Sequence, residues 1–365
     1  NALKSDSSRS GIYGSGSLTI SGGENDSLTA QGGSGANGIY SSGSLTISGG
    51  TVTANGDDGG RGISSSGSVT ISGGSTVTAN GGSGTISGGD GICSSGGVTI
   101  SGGSTVTANG GNGGSLVGGD GIRSGGGLTV SDGTVTAKGG NGDSKDGYGG
   151  DGIRSGGVVT ISGNTVNAAG GYGGKVGGYG ICSFDRVAIS GGTVEAAGGN
   201  GSTGGGSGIY SSVIDLSGSL ELTAKAGSPN GKALSQKGSE LVLDTIKDKL
   251  GPGAKVTATD ADGKVIDQVS TPRPVEPEES SSSSDGGSAA PSAPASPLPG
   301  LTVTDKDGQR ISYTSTQSGN TLTVCVGRLT ASFRISLAAL RQLRAEGIET
   351  ITFQTILCST TLSVD

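Results

Sequence analysis

The chain has 365 residues, 80 of them glycine, and a formal net charge of −7. Glycine is thus about three times as frequent as its usual share of about 7%. Histidine, tryptophan and methionine are absent, which excludes Ser-His-Asp catalysis, Cys-His catalysis and His-ligated zinc. The acidic charge argues against nucleic-acid binding, and no apolar run approaches the roughly 20 residues of a membrane span.

A Gly-Ile dipeptide recurs every 24 to 31 residues and defines a repeat. Its isoleucines are Ile12, Ile39, Ile63, Ile92, Ile122, Ile153, Ile181 and Ile209. In the first seven units an LTIS-like segment starts six residues after this isoleucine and a TVTA-like segment follows. Alternation in both segments sends Leu, Ile, Val and Ala inward and Thr and Ser outward. We predict an all-β fold, a single-stranded right-handed parallel β-helix of eight to nine coils, in which equivalent residues stack about 4.8 Å apart.

Composition divides the chain into four predicted regions. The β-helix spans residues 1–243, and a cap over 244–270 combines a short helix at 244–250 with a hairpin of Lys255–Thr259 and Val265–Val269. Residues 271–300 form a Pro/Ser-rich linker, and 301–365 form a small α+β module. Because residue 1 is not methionine and Asn1–Ser10 contains no evident cap, we expect a processed chain or an excerpt of a longer one.

The α+β module is predicted to contain six strands and one helix. The helix has Ser336 as its N-cap and ends at Gly347. The predicted strands are Leu301–Thr304, Arg310–Thr314, Thr321–Val326, Leu329–Ile335, Glu349–Thr355 and Thr361–Val364.

The four cysteines show no zinc-binding spacing. Cys93 and Cys182 occupy the same slot three coils apart, roughly 14 Å, which is too far for a disulfide. We expect both to be free thiols. Cys325 and Cys358 fall on predicted strands of the C-terminal module and could pair if those strands are neighbours.

Aspartate precedes Gly-Ile in three successive coils, at Asp90, Asp120 and Asp151. Carboxylates stacked about 4.8 Å apart repel by roughly 0.9 kcal/mol in water, so a positive partner is expected. One interpretation is a salt-bridge ladder with arginines on the same corner. These are Arg61, Arg123 and Arg154. The other is a calcium site, because calcium takes several carboxylate oxygens, with Asp143 and Asp146 as additional ligands.

The glycine-rich loops of the fifth and sixth coils contain Tyr148, Tyr172 and Tyr179, with Lys145 and Lys175 beside them. Tyrosine rings stack on sugar rings, and lysine donates hydrogen bonds to hydroxyl or carboxylate groups. These five residues are the predicted carbohydrate-binding site. The alternative is that the tyrosines fold back and cover the edges of the coils.

Outward threonines recur in pairs in four consecutive coils. They are Thr51 and Thr53, Thr76 and Thr78, Thr105 and Thr107, and Thr134 and Thr136. Within a pair the spacing is about 6.7 Å and between coils about 4.8 Å, which gives a flat lattice. The array resembles the paired threonines of ice-binding solenoids, although threonine is also favoured on any outward strand surface.

The phrase Thr70-Ile71-Ser72-Gly73-Gly74-Ser75-Thr76-Val77-Thr78-Ala79, followed by Asp90-Gly91-Ile92, resembles a secreted clostridial family. Its members are β-helix proteins described as binding carbohydrate, in particular acidic plant polysaccharide, and calcium. The resemblance covers residues 11–225. The family places two aspartates before Gly-Ile, whereas this chain has only the second, and its Asp57-Asp58 pair is out of register.

These observations favour an extracellular or bacterial cell-surface protein without catalytic activity that binds a polysaccharide or a host or cell-surface glycan, or acts as an adhesin or stalk. Calcium is the one cofactor that the sequence suggests. The first alternative is a pectate-lyase-like polysaccharide lyase using calcium bound by Asp120 and Asp151, with Arg123 or Arg154 as the base. The second alternative is ice binding through the threonine ladder.

Overall fold

The computed structural model describes residues 2–5, 7–272, 301–304, 311, 313–326, 331–335, 337–345, 347–355 and 359–363. The chain divides into two compact units, residues 1–278 and 279–365. The first unit is a parallel β-helix, as predicted. Its coils have three strand-bearing faces, which we name the Ile face, the Leu face and the Thr face after the residues that define them.

The Ile and Leu faces belong to one sheet of 16 strands, because two long strands turn the corner between them. The Ile face comprises Ile12–Gly14, Ile39–Ser41, Ile63–Ser65, Ile92–Ser94, Ile122–Ser124, Ile153–Ser155 and Leu234–Gln236. The Leu face comprises Leu18–Ser21, Leu45–Ser48, Val69–Ser72, Val98–Ile100, Leu128–Val130 and Val159–Ile161. Ile181–Ile189 and Ile209–Leu216 contribute to both faces.

The Thr face is an 11-stranded sheet. Its parallel strands are Ala2–Lys4, Ser27–Gln31, Thr51–Asn55, Thr76–Asn80, Ser104–Asn109, Gly133–Lys138, Thr165–Ala169, Gly192–Ala197, Leu220–Lys225 and Lys255–Thr259. Val265–Ser270 closes the sheet as an antiparallel edge. The predicted hairpin is therefore present, and its first strand also continues the solenoid by pairing in parallel with Leu220–Lys225.

The solenoid makes about eleven turns, more than the eight to nine coils predicted. Ala2–Lys4 pairs in parallel with Thr29–Gln31 and extends the Thr face ahead of the first Gly-Ile coil. Its sequence lacks the TVTA pattern, so the repeat does not indicate it. At the other end Leu243–Lys249 is a 3-10 helix, and Ser239–Glu240 pairs antiparallel with residues of Leu234–Gln236.

Inward side chains form one aliphatic core along the solenoid. The isoleucines that follow the repeated glycine are fully buried from Ile39 to Ile209. The two inward residues of the TVTA segment in the fifth coil, Val135 and Ala137, are also fully buried. Close-packed interiors tolerate little change in volume, and a core this narrow is filled by branched aliphatic residues without large aromatics. The scarcity of aromatic residues follows from this geometry.

Glycine is required where neighbouring coils approach most closely. A Cβ on Gly119 would lie 1.9 Å from the carbonyl oxygen of Gly89 in the preceding coil, a distance that no side chain could occupy. Gly73 and Gly74 have φ values of +68° and +69° at the turn from the Leu face to the Thr face, where glycine alone incurs little strain.

In its described residues the second unit contains strands and one helix, Leu337–Ala345. Leu301–Thr304 pairs antiparallel with Ser332–Ile335. A four-stranded sheet is formed by Thr314–Ser318, Thr321–Cys325, Thr350–Gln354 and Ser359–Ser363. Of the strand predicted at Arg310–Thr314, Thr314 begins a strand and Ile311 and Tyr313 lie outside strands, whereas Arg310 and Ser312 lie outside the described residues. Gly347, with φ +84°, follows the helix as predicted, whereas the proposed N-cap Ser336 lies outside the described residues.

Candidate functional site

The three aspartates that precede Gly-Ile form one buried column, which we call the Asp column (Asp90, Asp120 and Asp151). Their exposed fractions are only 4 to 6%. One carboxylate oxygen of each accepts a backbone N–H from the next coil: Asp120 N–H donates to Asp90 Oδ1 at 2.9 Å, and Asp151 N–H to Asp120 Oδ1 at 2.8 Å. Tyr179 N–H continues the column by donating to Asp151 Oδ1 at 2.7 Å. The column thus joins successive coils.

Burial and proximity disfavour charge on the Asp column. Burial, followed by the neighbouring carboxylates of Asp151 and Asp90, raises the pKa of Asp120 to about 8. Burial also raises the pKa of Asp151, to about 6, although the N–H of Tyr179 opposes that rise. Both effects favour the protonated form of Asp120. The sequence indicates the stacking of these groups but not their burial.

Two of the three expected arginine partners are present. Arg61 Nε lies 3.1 Å from Asp90 Oδ2, and an Arg154 guanidinium nitrogen lies 3.6 Å from Asp151 Oδ2. The second pair is outside hydrogen-bonding distance, so Asp151 Oδ2 is buried without a hydrogen-bond partner. Arg123 is exposed and forms no ion pair with any described residue. The salt-bridge ladder is thus formed at its two ends.

The Asp column leaves few carboxylate oxygens for a calcium ion. Calcium takes six to eight oxygen ligands, whereas one oxygen of each aspartate already accepts a backbone N–H. Within the described residues no three acidic or cysteine side chains are grouped closely enough to hold a metal. Calcium binding through Asp90, Asp120 and Asp151, or through the additional ligands Asp143 and Asp146, stays a prediction.

The long loops between the Thr and Ile faces also stack in register. Parallel bridges join Ser87 to Val117, Val117 to Tyr148, and Tyr148 to Val176. We call the surface formed by residues 82–88, 111–118, 140–149, 171–177 and 199–204 the loop face. Its loops are held by backbone hydrogen bonds between coils, as in the 2.7 Å bond from Tyr148 N–H to the Leu116 carbonyl. Loop residues far apart in sequence therefore become neighbours.

The loop face brings together part of the predicted carbohydrate site. Tyr148 and Tyr172 are 42% and 47% exposed, and the ammonium nitrogen of Lys175 lies 5.6 Å from the centre of the Tyr148 ring. Lys145 is exposed on the same loop as Tyr148. Both tyrosines keep a large exposed surface, and the alternative that they cover the edges of the coils stays a prediction.

Tyr179 lies on a different surface from the one predicted. It follows the Asp column, and its ring stacks on Tyr210 of the next coil with ring centres 4.9 Å apart and an interplanar angle of 17°. Tyr13 and Tyr40 stack similarly, at 5.5 Å and 18°. One register position on the Ile face is occupied by tyrosine in three coils, at Tyr13, Tyr40 and Tyr210.

Three exposed aliphatic residues also lie on the loop face and are not among the predicted site residues. Ile86, Leu116 and Val117 are 60%, 53% and 39% exposed. Leu116 N–H donates to the Ile86 carbonyl, which places these side chains in adjacent coils. Together with Tyr148 they form an apolar surface across three loops. Their one signal in the sequence is the occurrence of apolar residues inside otherwise polar glycine-rich loops.

The threonine lattice has the predicted register. Parallel pairing aligns Thr51, Thr76, Thr105 and Thr134 in one column, and Thr53, Thr78, Thr107 and Thr136 in the next. The first column is exposed and the second is half-buried. Thr165 and Thr193 continue the first column, whereas Asn167 and Glu195 replace threonine in the second.

Three of the cysteines are free thiols: Cys93, Cys182 and Cys325. Cys93 and Cys182 share one register column three coils apart, as predicted. Burial is the main cause that raises the pKa of Cys93 to about 11 and that of Cys182 to about 12. Cys325 contacts Gln354 Oε1, and its predicted partner Cys358 lies outside the described residues.

Neither family models, nor curated proteins, nor solved structures match this chain. Within the described residues, no helix has the length and apolar character needed to cross a membrane.

Proposed function

We propose that this chain is an extracellular or cell-surface β-helix protein without catalytic activity that binds carbohydrate through its loop face. The observation that carries the proposal is the placement of the Lys175 ammonium group 5.6 Å from the exposed ring of Tyr148. An open tyrosine ring offers a flat apolar surface to a sugar. The adjacent ammonium group has three hydrogen-bond donors for sugar hydroxyl or carboxylate groups.

Rigid stacking of the loops supports this function. Backbone hydrogen bonds between coils order the loops before a ligand arrives, which lowers the conformational entropy lost on binding. Adjacent loops present their exposed groups about 4.8 Å apart along the solenoid. A polysaccharide lying along the solenoid would therefore contact several loops at once. An adhesin or stalk role would use the same surface to attach to a glycan-bearing partner.

A glycan array probed with the full chain, with and without calcium, tests the proposal. We expect binding to one or more polysaccharides, and loss of at least about tenfold in affinity for Tyr148→Ala, because one stacked ring contributes about 1.4 kcal/mol. Tyr13→Ala is the matched control, because Tyr13 is also an exposed tyrosine, 66% accessible, on a different coil. Equal binding by Tyr148→Ala and the wild type would refute the assignment of this site.

The polysaccharide-lyase alternative has less support. It requires Asp120 and Asp151 to bind calcium next to the polymer, whereas both are buried and hydrogen-bonded to backbone N–H groups. Incubation with polygalacturonate and measurement of ultraviolet absorbance tests it. Steady formation of unsaturated product, lost in Arg123→Gln and Arg154→Gln, would establish the alternative.

The register of the Thr face favours ice binding as a second candidate. Four coils present paired threonines without interruption, and fixed hydroxyl and methyl groups on a flat sheet can order the adjoining water. Thermal hysteresis and ice-crystal shaping measure this activity. Thr105→Lys, in the centre of the lattice, should abolish it, whereas Thr99→Lys on the Leu face should not. No hysteresis in the wild type would eliminate this function.

A further inference from the structure

A second surface, on the Ile face, joins cationic and aromatic side chains in three successive coils. We call it the Arg strip (Arg123, Arg154 and Phe184). Arg123 and Arg154 are register partners on adjacent parallel strands, so their side chains leave the same face about 4.8 Å apart. This surface is distinct from the loop face, and the inference below does not depend on the carbohydrate proposal.

Arg154 is held in place from two directions. A guanidinium nitrogen lies 3.6 Å from Asp151 Oδ2, and Cζ lies 5.4 Å from the ring centre of Phe184. Such a cation–π contact orients the planar guanidinium group over the ring. The group is still partly accessible, since 40% of the Arg154 side chain is exposed.

Phe184 is presented outward by a break in the strand register. The ladder between Ile181–Ile189 and Ile209–Leu216 shifts between Ser183 and Arg186, and Phe184 lies in this irregular stretch. Its side chain is 56% exposed. A bulge of this kind redirects side chains away from the regular alternation, and it leaves a large apolar ring on the surface beside Arg154.

The charge of Arg123 is not balanced by an ion pair within the described residues. Like charges at directly paired positions destabilise a sheet. Arg154 has Asp151 as a partner and Asp90 is paired with Arg61, but Arg123 has no ion pair within the described chain. An anion placed between the two guanidinium groups would remove this repulsion.

The shape of the two donors favours a tetrahedral anion. Each guanidinium group presents N–H donors in a planar fork that matches two acceptor oxygens. A carboxylate has two oxygens and is fully engaged by one fork, whereas a sulfate or phosphate ester has additional oxygens for the second fork. Phe184 would then face an apolar part of the molecule that bears the ester.

We propose that the Arg strip binds sulfate or phosphate ester groups of an anionic polymer, with one ester shared by Arg123 and Arg154. Isothermal titration calorimetry of the full chain with heparin, inorganic polyphosphate and polygalacturonate tests this. Heparin carries sulfate groups, polyphosphate carries phosphate groups, and polygalacturonate carries carboxylates only. We expect binding to heparin, to polyphosphate or to both, weakened by added salt, and weaker binding to polygalacturonate.

Three variants locate the site. Arg123→Gln should weaken binding about tenfold, because it removes a charge-assisted fork without breaking an ion pair. Arg9→Gln is the matched control, because Arg9 is an exposed arginine on the first coil, and it should retain wild-type affinity. Arg154→Lys keeps the charge but loses the planar fork, and should also weaken binding. Circular dichroism checks that each variant folds.

Three results would overturn the inference. The first is no binding to either heparin or polyphosphate at low salt. The second is an equal loss for Arg123→Gln and Arg9→Gln, which would indicate a general charge effect. The third is an equal loss of affinity for polygalacturonate and for the ester-bearing polymers in Arg123→Gln. Tyr148→Ala should leave this binding unchanged, so failure here is separable from failure of the loop-face proposal.

Discussion

Replacing Asp120 by asparagine should stabilise the β-helix at neutral and alkaline pH. Asparagine has the shape of the protonated aspartate, and its carbonyl oxygen can still accept the N–H of Asp151, now 2.8 Å from Asp120 Oδ1. The substitution therefore preserves the link between coils and removes an ionisable group.

The pKa of Asp120 sets the size and sign of this effect. The folded-state pKa of about 8 lies above the ordinary value of 3.8, so the folded chain holds a proton that the unfolded chain releases. The contribution of Asp120 to the free energy of unfolding is therefore greatest below pH 3.8. It falls as the pH rises and levels off above about pH 8. At about 1.4 kcal/mol per pH unit, the free energy of unfolding falls by about 4 kcal/mol between pH 3.8 and pH 7 because of this group. Asp120→Asn should recover about 1 to 4 kcal/mol of it at pH 7.

Urea unfolding followed by far-ultraviolet circular dichroism between pH 4 and pH 9 measures the difference. Asp120→Asn should gain stability over the wild type as pH rises and approach it near pH 4. Asp120→Ala is the control for the hydrogen bond: it leaves the buried N–H of Asp151 without an acceptor, at a cost of about 1 to 3 kcal/mol. An Asp120→Asn difference that is independent of pH, or a loss of stability at pH 7, would refute the reasoning.

Three further predictions concern packing and thiol reactivity. Gly119→Ala should destabilise the chain by about 3 kcal/mol or more, since its Cβ would lie 1.9 Å from the Gly89 carbonyl oxygen. The control Gly16→Ala has open space at its Cβ and should change the free energy of unfolding in urea by less than about 0.5 kcal/mol. Equal effects of the two substitutions would contradict the close stacking of the coils. Val135→Ala empties a fully buried position and should cost about 2 to 3 kcal/mol in the same assay, whereas exposed Thr134→Ala should cost little. The thiols of Cys93 and Cys182, whose pKa values are about 11 and 12, should react slowly with a disulfide reagent at pH 8 and rapidly in urea. Fast reaction of both thiols in the folded chain would contradict these raised pKa values.

The period of the sequence predicts the solenoid because one residue type is repeated at a fixed place in every coil. Each Gly-Ile isoleucine faces the core, and the constant six-residue step to the next strand fixes the corner between the Ile and Leu faces. Variation in length falls in the loops, where it does not disturb the register. The repeat alone therefore predicts that Val77 pairs with Val106 and Ile92 with Ile122, and both pairings are confirmed.

Other features depend on three-dimensional context that a repeat does not encode. Ala2–Lys4 forms a strand because the free edge of Ser27–Gln31 offers hydrogen-bonding partners, not because its own sequence favours one. Burial of the Asp column depends on how tightly the glycine corners of adjacent coils close over it. Exposure of Phe184 follows from a shift of strand register between Ser183 and Arg186, which the sequence does not mark.

Parallel stacking in register is the central claim, and disulfide cross-linking between adjacent coils measures it most directly. Thr76 and Thr105 are register partners, at a spacing of about 4.8 Å that permits a disulfide. In a chain whose four native cysteines are replaced by serine, the double variant Thr76→Cys, Thr105→Cys should oxidise to a single intramolecular disulfide. The offset variant Thr76→Cys, Thr107→Cys should remain reduced under the same conditions. Efficient oxidation of the offset pair, or none in the aligned pair, would contradict the β-helix described here.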